Sequence, residues 1–81
     1  PPALILLDIQ LPGMDGFEVF ARLRSHAATR HVPVVAVSAD GSSSSIDAAL
    51  ATGFAAYLSK PLDLPALLAT VQRMLRGPAT R

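Results

Sequence analysis

The sequence predicts an α/β fold with three parallel strands in the order β-α-β-α-β-α. Three apolar runs, Ala3–Leu7, Val34–Val37 and Phe54–Ser59, have the length and β-branched or aliphatic character of buried strands. The stretches between them are long enough to hold a helix, and connections of that length go with parallel pairing and right-handed crossovers. Each run also finishes at a polar side chain, Asp8, Ser38 or Lys60.

The first strand is expected over residues 3–7. Pro12, Gly13 and Gly16 then force a turn, and Asp15 is placed to cap a helix starting near Gly16 or Phe17. In that helix Phe17, Phe20 and Leu23, or Val19 and Leu23, share an inner face, with Glu18, Arg22 and Arg24 outward. Residues 27–31 read as a loop, and Val32-Pro33 leads into the second strand, which exits through Ser38-Ala39-Asp40. Gly41 and the Ser42–Ser45 tract form a loop and helix start, because serine favours caps over helix interiors. A helix follows over Ile46–Thr52, and Gly53 suits the left-handed position that ends it. The third strand runs from Phe54 to Ser59 and meets Lys60-Pro61. Asp63 caps the last helix, Pro65 sits harmlessly in its first turn, and Leu64, Leu67, Leu68, Val71 and Leu75 repeat at helical spacing until Gly77-Pro78 stops it.

Composition narrows the function. The 81 residues suffice for one small domain, whose core must come from Leu, Val, Ile and Ala because only three Phe and one Tyr are present. Seven basic and six acidic residues leave a net charge of +1, with no Lys/Arg cluster interleaved with aromatics, so nucleic-acid binding by this segment is not expected. The absence of cysteine excludes disulfides and thiolate metal sites and suits a reducing, cytoplasmic setting. Every apolar stretch is far shorter than the roughly 20 residues that span a bilayer, so no membrane contact is expected. Starting on Pro1-Pro2 without an initiating Met, the chain reads as a piece of a longer polypeptide.

In a parallel sheet all strands finish at one edge, which is where open α/β sheets place their chemistry. Asp8, Ser38 and Lys60 should therefore converge although far apart in sequence. A carboxylate can act as a nucleophile toward phosphorus, a hydroxyl can hydrogen-bond a phosphoryl oxygen, and an ammonium can neutralise added charge. Taken singly, each has a plainer role: Asp8 as a loop cap, Ser38 bonded to backbone, Lys60 as a solvated loop charge. Asp15 reads as a helix cap, Met14 and Met74 as packing, and His26 and His31 lack a nearby third ligand.

Three segments, residues 4–16 (Leu-Ile-Leu-Leu-Asp-Ile-Gln-Leu-Pro-Gly-Met-Asp-Gly), Val34–Ala39 (Val-Val-Ala-Val-Ser-Ala) and Gly53–Pro61 (Gly-Phe-Ala-Ala-Tyr-Leu-Ser-Lys-Pro), closely resemble the receiver domain of two-component response regulators. The resemblance implies a flavodoxin-like receiver fold truncated to three parallel strands, with residues 1–76 as a partial domain and 77–81 as a tail. It implies that Asp8 accepts a phosphoryl group from a histidine, that Ser38 and Lys60 sense and pair with it, and that Tyr57 is a switch aromatic. It further implies a cis bond before Pro61, a backbone carbonyl of Gln10 offered to Mg²⁺ alongside Asp8, and Asp40 at the border of the site. The implied partner is a histidine kinase or phosphotransfer domain.

Set against that family, this chain begins at what would be the third strand. The acidic pair that supplies further Mg²⁺ ligands is absent, so the fragment by itself is expected to be inactive, with Mg²⁺ a cofactor of the intact domain only. The strand 3–7 would normally be interior, and exposed as an edge it is expected to mediate a homodimer. The parent reads as a response regulator or the receiver of a hybrid histidine kinase, so whether it is an enzyme stays open. Two other classes compete. An aspartate-nucleophile phosphatase would carry a second Asp two residues after the first, where this chain has Gln10; a pseudo-receiver would not retain Asp8, Ser38 and Lys60 together.

Overall fold

Pairing of Ile5–Asp8 with Val34–Val37, residue for residue and parallel, starts the sheet. The computed structural model describes residues 2–76, and the expected helix stop at Gly77-Pro78 and tail 77–81 lie outside them. Along the chain the elements are β1 (Ile5–Asp8), α1 (Gly16–Ser25), β2 (Val34–Ser38), α2 (Ser43–Thr52), β3 (Ala56–Ser59) and α3 (Leu64–Arg76). The sheet order is β1-β2-β3, all parallel, with Val35–Ser38 opposite Ala56–Ser59.

Every residue of β2 is buried, as its unbroken β-branched run requires for a central strand covered on both faces. Around it Leu7, Phe20, Val34, Ala36, Ala49 and Phe54 form the core, with Ile5, Ile9, Val19, Leu23 and Tyr57 packed against them. Phe54 stacks on Phe20 with ring centroids 4.2 Å apart and meets Phe17 edge-on at 5.6 Å. Arg24, expected on the solvent face, instead lies 4.7 Å over the Phe20 ring and donates to the Thr29 and Val32 carbonyls, closing the loop after α1.

The boundaries differ from expectation in ways that hydrogen bonding explains. β1 starts at Ile5, whose N–H reaches the Pro33 carbonyl, and runs through Asp8, because the Ile9 N–H still bonds the Val37 carbonyl. α2 begins at Ser43 and not at Ile46. Ser42 takes the cap, accepting from the Ser45 N–H, and Ser45 turns its hydroxyl outward to Asp40, so the serines do not compete with the helix backbone. β3 begins at Ala56, since the Phe54 N–H is spent on the Ala49 carbonyl at the end of α2, where Gly53 has φ 128°. The face of α3 is also redistributed. Leu67, Thr70, Val71 and Met74 turn inward to differing degrees, whereas Leu64, Leu68 and Leu75 are exposed on the described surface.

Gly16 fixes how α1 meets β1. A Cβ at that position would lie 2.5 Å from the Ile9 Cα, so the helix enters in backbone contact with the residue after Asp8. The Asp15 carboxylate accepts from the Phe17 and Glu18 amides and anchors the same turn.

Candidate functional site

Because the three strands are parallel, Asp8, Ser38 and Ser59-Lys60 emerge at one edge of the sheet, where the Asp8 and Lys60 side chains meet and the Ser38 carbonyl holds the Lys60 backbone. The Lys60 Nζ forms an ion pair with Asp8 Oδ2, joining residues 52 apart in sequence. The other oxygen, Oδ1, accepts from the Gln10 N–H at 2.9 Å. The Lys60–Pro61 peptide bond is cis, and the Lys60 N–H donates to the Ser38 carbonyl at 2.8 Å, so the backbone of β2 positions the lysine.

Ser38 is almost fully buried, at 1% exposure, and its Oγ accepts from the Asp40 N–H at 3.0 Å. Asp40 is held on every side. Its carbonyl accepts from the Tyr57 hydroxyl, its Oδ1 from the Ser42 N–H at 2.9 Å, and its Oδ2 from the Ser45 hydroxyl at 2.6 Å. Ser38 and Tyr57 thus grip the two ends of one residue. Between them opens a cleft of about 230 Å³, with Ile9, Phe17 and Ala48 on its apolar side. The arrangement brings together Asp8, Gln10, Ser38, Lys60 and, through Asp40, Tyr57. His26 and His31 belong to no metal-binding group; among the described residues no three His, Cys, Asp or Glu side chains converge.

Two features escaped the sequence. One is the Asp40–Ser42–Ser45 cage, signalled only by serines two and five residues after an aspartate, a pattern that suits an Asx turn. The other is a bond from the Ala39 N–H to the Gln10 side chain, which nothing in the sequence marks.

Electrostatics keep the anchoring carboxylate charged. The hydrogen bond from Lys60, then that from the Gln10 amide, hold the Asp8 carboxyl below the ordinary aspartate value of 3.8, outweighing partial desolvation. Asp40 is likewise lowered, chiefly by the Ser45 hydroxyl and the Ser42 amide. For a carboxyl depressed on folding, the stabilising contribution is complete above the unfolded value and is lost as pH falls through the lower folded one. Lys60→Met is therefore expected to raise the Asp8 titration toward 3.8 while leaving Asp40 in place, as read by carboxyl carbon NMR. An unmoved Asp8 titration would show that the ion pair does not form in solution.

A parallel α/β sheet with an Asp–Lys pair and a buried serine at one edge is a module of the open α/β class, which places its chemistry at the strand ends. Comparison with known proteins gives the class its family. Residues 1–72 match the family model described as the response regulator receiver domain, and the chain belongs to that family. It is 43% identical over 76 residues to the response regulator PleD of Caulobacter vibrioides, and 39% identical over 74 residues to the polar-differentiation response regulator DivK of Brucella ovis. The matched stretches cover 93% and 91% of this chain, and the chain spans 16% of the first relative and 60% of the second. Among solved structures, a response regulator from Desulfuromonas acetoxidans superposes with a TM-score of 0.82 at 29% identity, covering 93% of this chain and 61% of that one.

Receiver domains as a class bind Mg²⁺ at the phosphorylation site. The side chains of this segment do not fit such an ion by themselves. Asp8 is a single carboxylate with both oxygens already engaged, by Lys60 and by the Gln10 amide, whereas Mg²⁺ demands near-octahedral oxygen coordination.

Proposed function

We propose that Asp8 is the phosphoacceptor of a two-component phosphorelay, taking its phosphoryl group from a phosphohistidine of a histidine kinase or phosphotransfer domain in the cytoplasm. The observation that carries this reading is the Asp8 carboxylate held ionised by Lys60 at the common end of three parallel strands. One Asp8 oxygen forms the P–O bond as the P–N bond to imidazole breaks; the ring nitrogen leaves with the bonding pair, and the ring keeps or gains a proton from solvent. Lys60 stays beside the acceptor and offsets the added negative charge.

Ser38 and Tyr57 supply the switch in this reading. Both hold Asp40, one by its N–H and the other by its carbonyl, so a displacement of Ser38 toward a phosphoryl oxygen pulls on the residue that fixes Tyr57. The cleft beside Tyr57 gives the ring room to move. Mg²⁺ belongs to a polypeptide that adds further carboxylates beside Asp8, and the 81-residue chain alone is not expected to label efficiently. The test is exposure of this chain, and of the full-length polypeptide carrying it, to acetyl phosphate with Mg²⁺, read by intact mass. The expected result is an acid-stable, alkali-labile gain of one phosphoryl group on the longer polypeptide only; no gain on either overturns the reading.

For the chain alone we also propose twofold self-association through β1. That strand pairs on one side only among the described residues, and its Leu6 is 45% exposed. An apolar edge with unpaired backbone groups recruits a second strand. Sedimentation equilibrium is expected to show a dimer that grows with concentration, and a monomer persisting at high concentration would eliminate it.

A further inference from the structure

Charge is sorted along the strand direction. Asp8, Asp15, Asp40 and Asp63 stand at or just beyond the strand ends that form the site, and Glu18 lies in the first turn of α1. Asp47, midway along α2, is the only other acid. Lys60 apart, every described Lys or Arg belongs to the opposite edge. Arg22 and Arg24 are in the last turn of α1, Arg30 is in the loop before β2, and Arg73 and Arg76 are in the last turn of α3. Topology brings them there, because each helix starts at the strand-end edge and runs back against the strands. The 13 residues of α3 carry its end about 20 Å from its start.

Arg24 is spent on the Thr29 and Val32 carbonyls, and Arg22 has Glu18 at 4.0 Å in an exposed and therefore weak pair. No carboxylate among the described residues pairs with Arg30, Arg73 or Arg76. A basic residue in a last turn complements the helix dipole, but Arg30 lies beyond α1, in an exposed turn closed by its N–H on the His26 carbonyl at 2.9 Å. Exposed His26, Ala27, Ala28 and His31 surround it, so this loop has no large apolar side chain to enter a bilayer and no Phe, Tyr or Trp to stack on a base. A guanidinium fork matches a planar carboxylate through two parallel hydrogen bonds. We propose that the edge opposite the site, centred on Arg30 and extended by Arg22 and Arg76, is a docking surface for a carboxylate-rich segment of another protein. Such a partner leaves Asp8 open, because the two edges face opposite ways along the sheet.

Titration of the isotope-labelled full-length polypeptide carrying this segment with a poly-L-glutamate peptide, followed by amide NMR at low salt, tests the surface. Shifts are expected at residues 26–31 and 73–76 and not at Asp8 or Gln10, with binding that weakens as salt is raised. Arg30→Glu combined with Arg76→Glu is expected to weaken binding about tenfold or more, since attraction is replaced by like-charge repulsion, whereas Arg30→Lys loses less. A single-stranded oligonucleotide of equal charge and vesicles containing phosphatidylserine, at the same ionic strength, are expected to bind more weakly than the peptide. Absence of shifts at residues 26–31 in the wild-type protein overturns the proposal, as does unchanged affinity in the doubly reversed variant. Tighter binding of the oligonucleotide or of the vesicles overturns the choice of a carboxylate-rich partner.

Discussion

Phe54→Ala is expected to cost the chain a large share of its stability and to lower its urea midpoint sharply. Phe54 is 3% exposed and joins the two halves of the core, stacking on Phe20 of α1 while its own N–H caps the end of α2. Truncating a buried phenylalanine costs about 3–5 kcal/mol, the lost transfer free energy plus the cavity left behind. A domain of this size has on the order of 4–12 kcal/mol in total, so the loss consumes much of it. Phe17→Ala is the informative control. Phe17 touches the same ring edge-on but is 37% exposed, and its truncation is expected to cost about 1 kcal/mol. Urea titrations followed by far-ultraviolet circular dichroism distinguish the two, and equal midpoints for both variants would mean that Phe54 is not the keystone of the core.

The second large effect concerns chemistry. In the full-length polypeptide, Asp8→Asn is expected to abolish phosphoryl labelling, because an amide is no nucleophile toward phosphorus, while the fold persists. Lys60→Ala is expected to slow labelling about 100-fold, the usual loss when one preorganised electrostatic partner is removed from a reacting centre. Ser38→Ala should label nearly normally yet fail to transmit, since its hydroxyl bonds Asp40 and not Asp8. A Lys60→Ala variant labelling at the wild-type rate would relegate the ion pair to a structural role.

Much of this architecture is legible in the sequence, for physical reasons that can be named. Three apolar runs separated by helix-length connections permit few arrangements other than a right-handed parallel sheet, and that topology alone gathers Asp8, Ser38 and Lys60 at one edge. Asp15 and Gly53 are legible because cap chemistry is local. The rest depends on tertiary partners. Arg24 has the composition of a surface residue, and only the Phe20 ring and two loop carbonyls draw it inward. The serines of α2 are good cap residues that nonetheless enter the helix, because Asp40 engages the Ser45 hydroxyl. The Gln10 side chain finds its partner 29 residues away, beyond any local rule. The leucines of α3 show the same limit, since helical spacing identifies an apolar stripe without saying what covers it, and Leu64 is 63% exposed.

The phosphoryl group is expected to land on Asp8 and on no other carboxylate. Asp15 and Asp40 stand on the neighbouring turns, and both are engaged by backbone amides. The direct measurement is to label the full-length polypeptide with acetyl phosphate and Mg²⁺, reduce the acyl phosphate with borohydride, and locate the resulting homoserine by peptide mass spectrometry. The result predicted is homoserine at position 8 alone; homoserine at position 15 or 40, or at no aspartate, would contradict it.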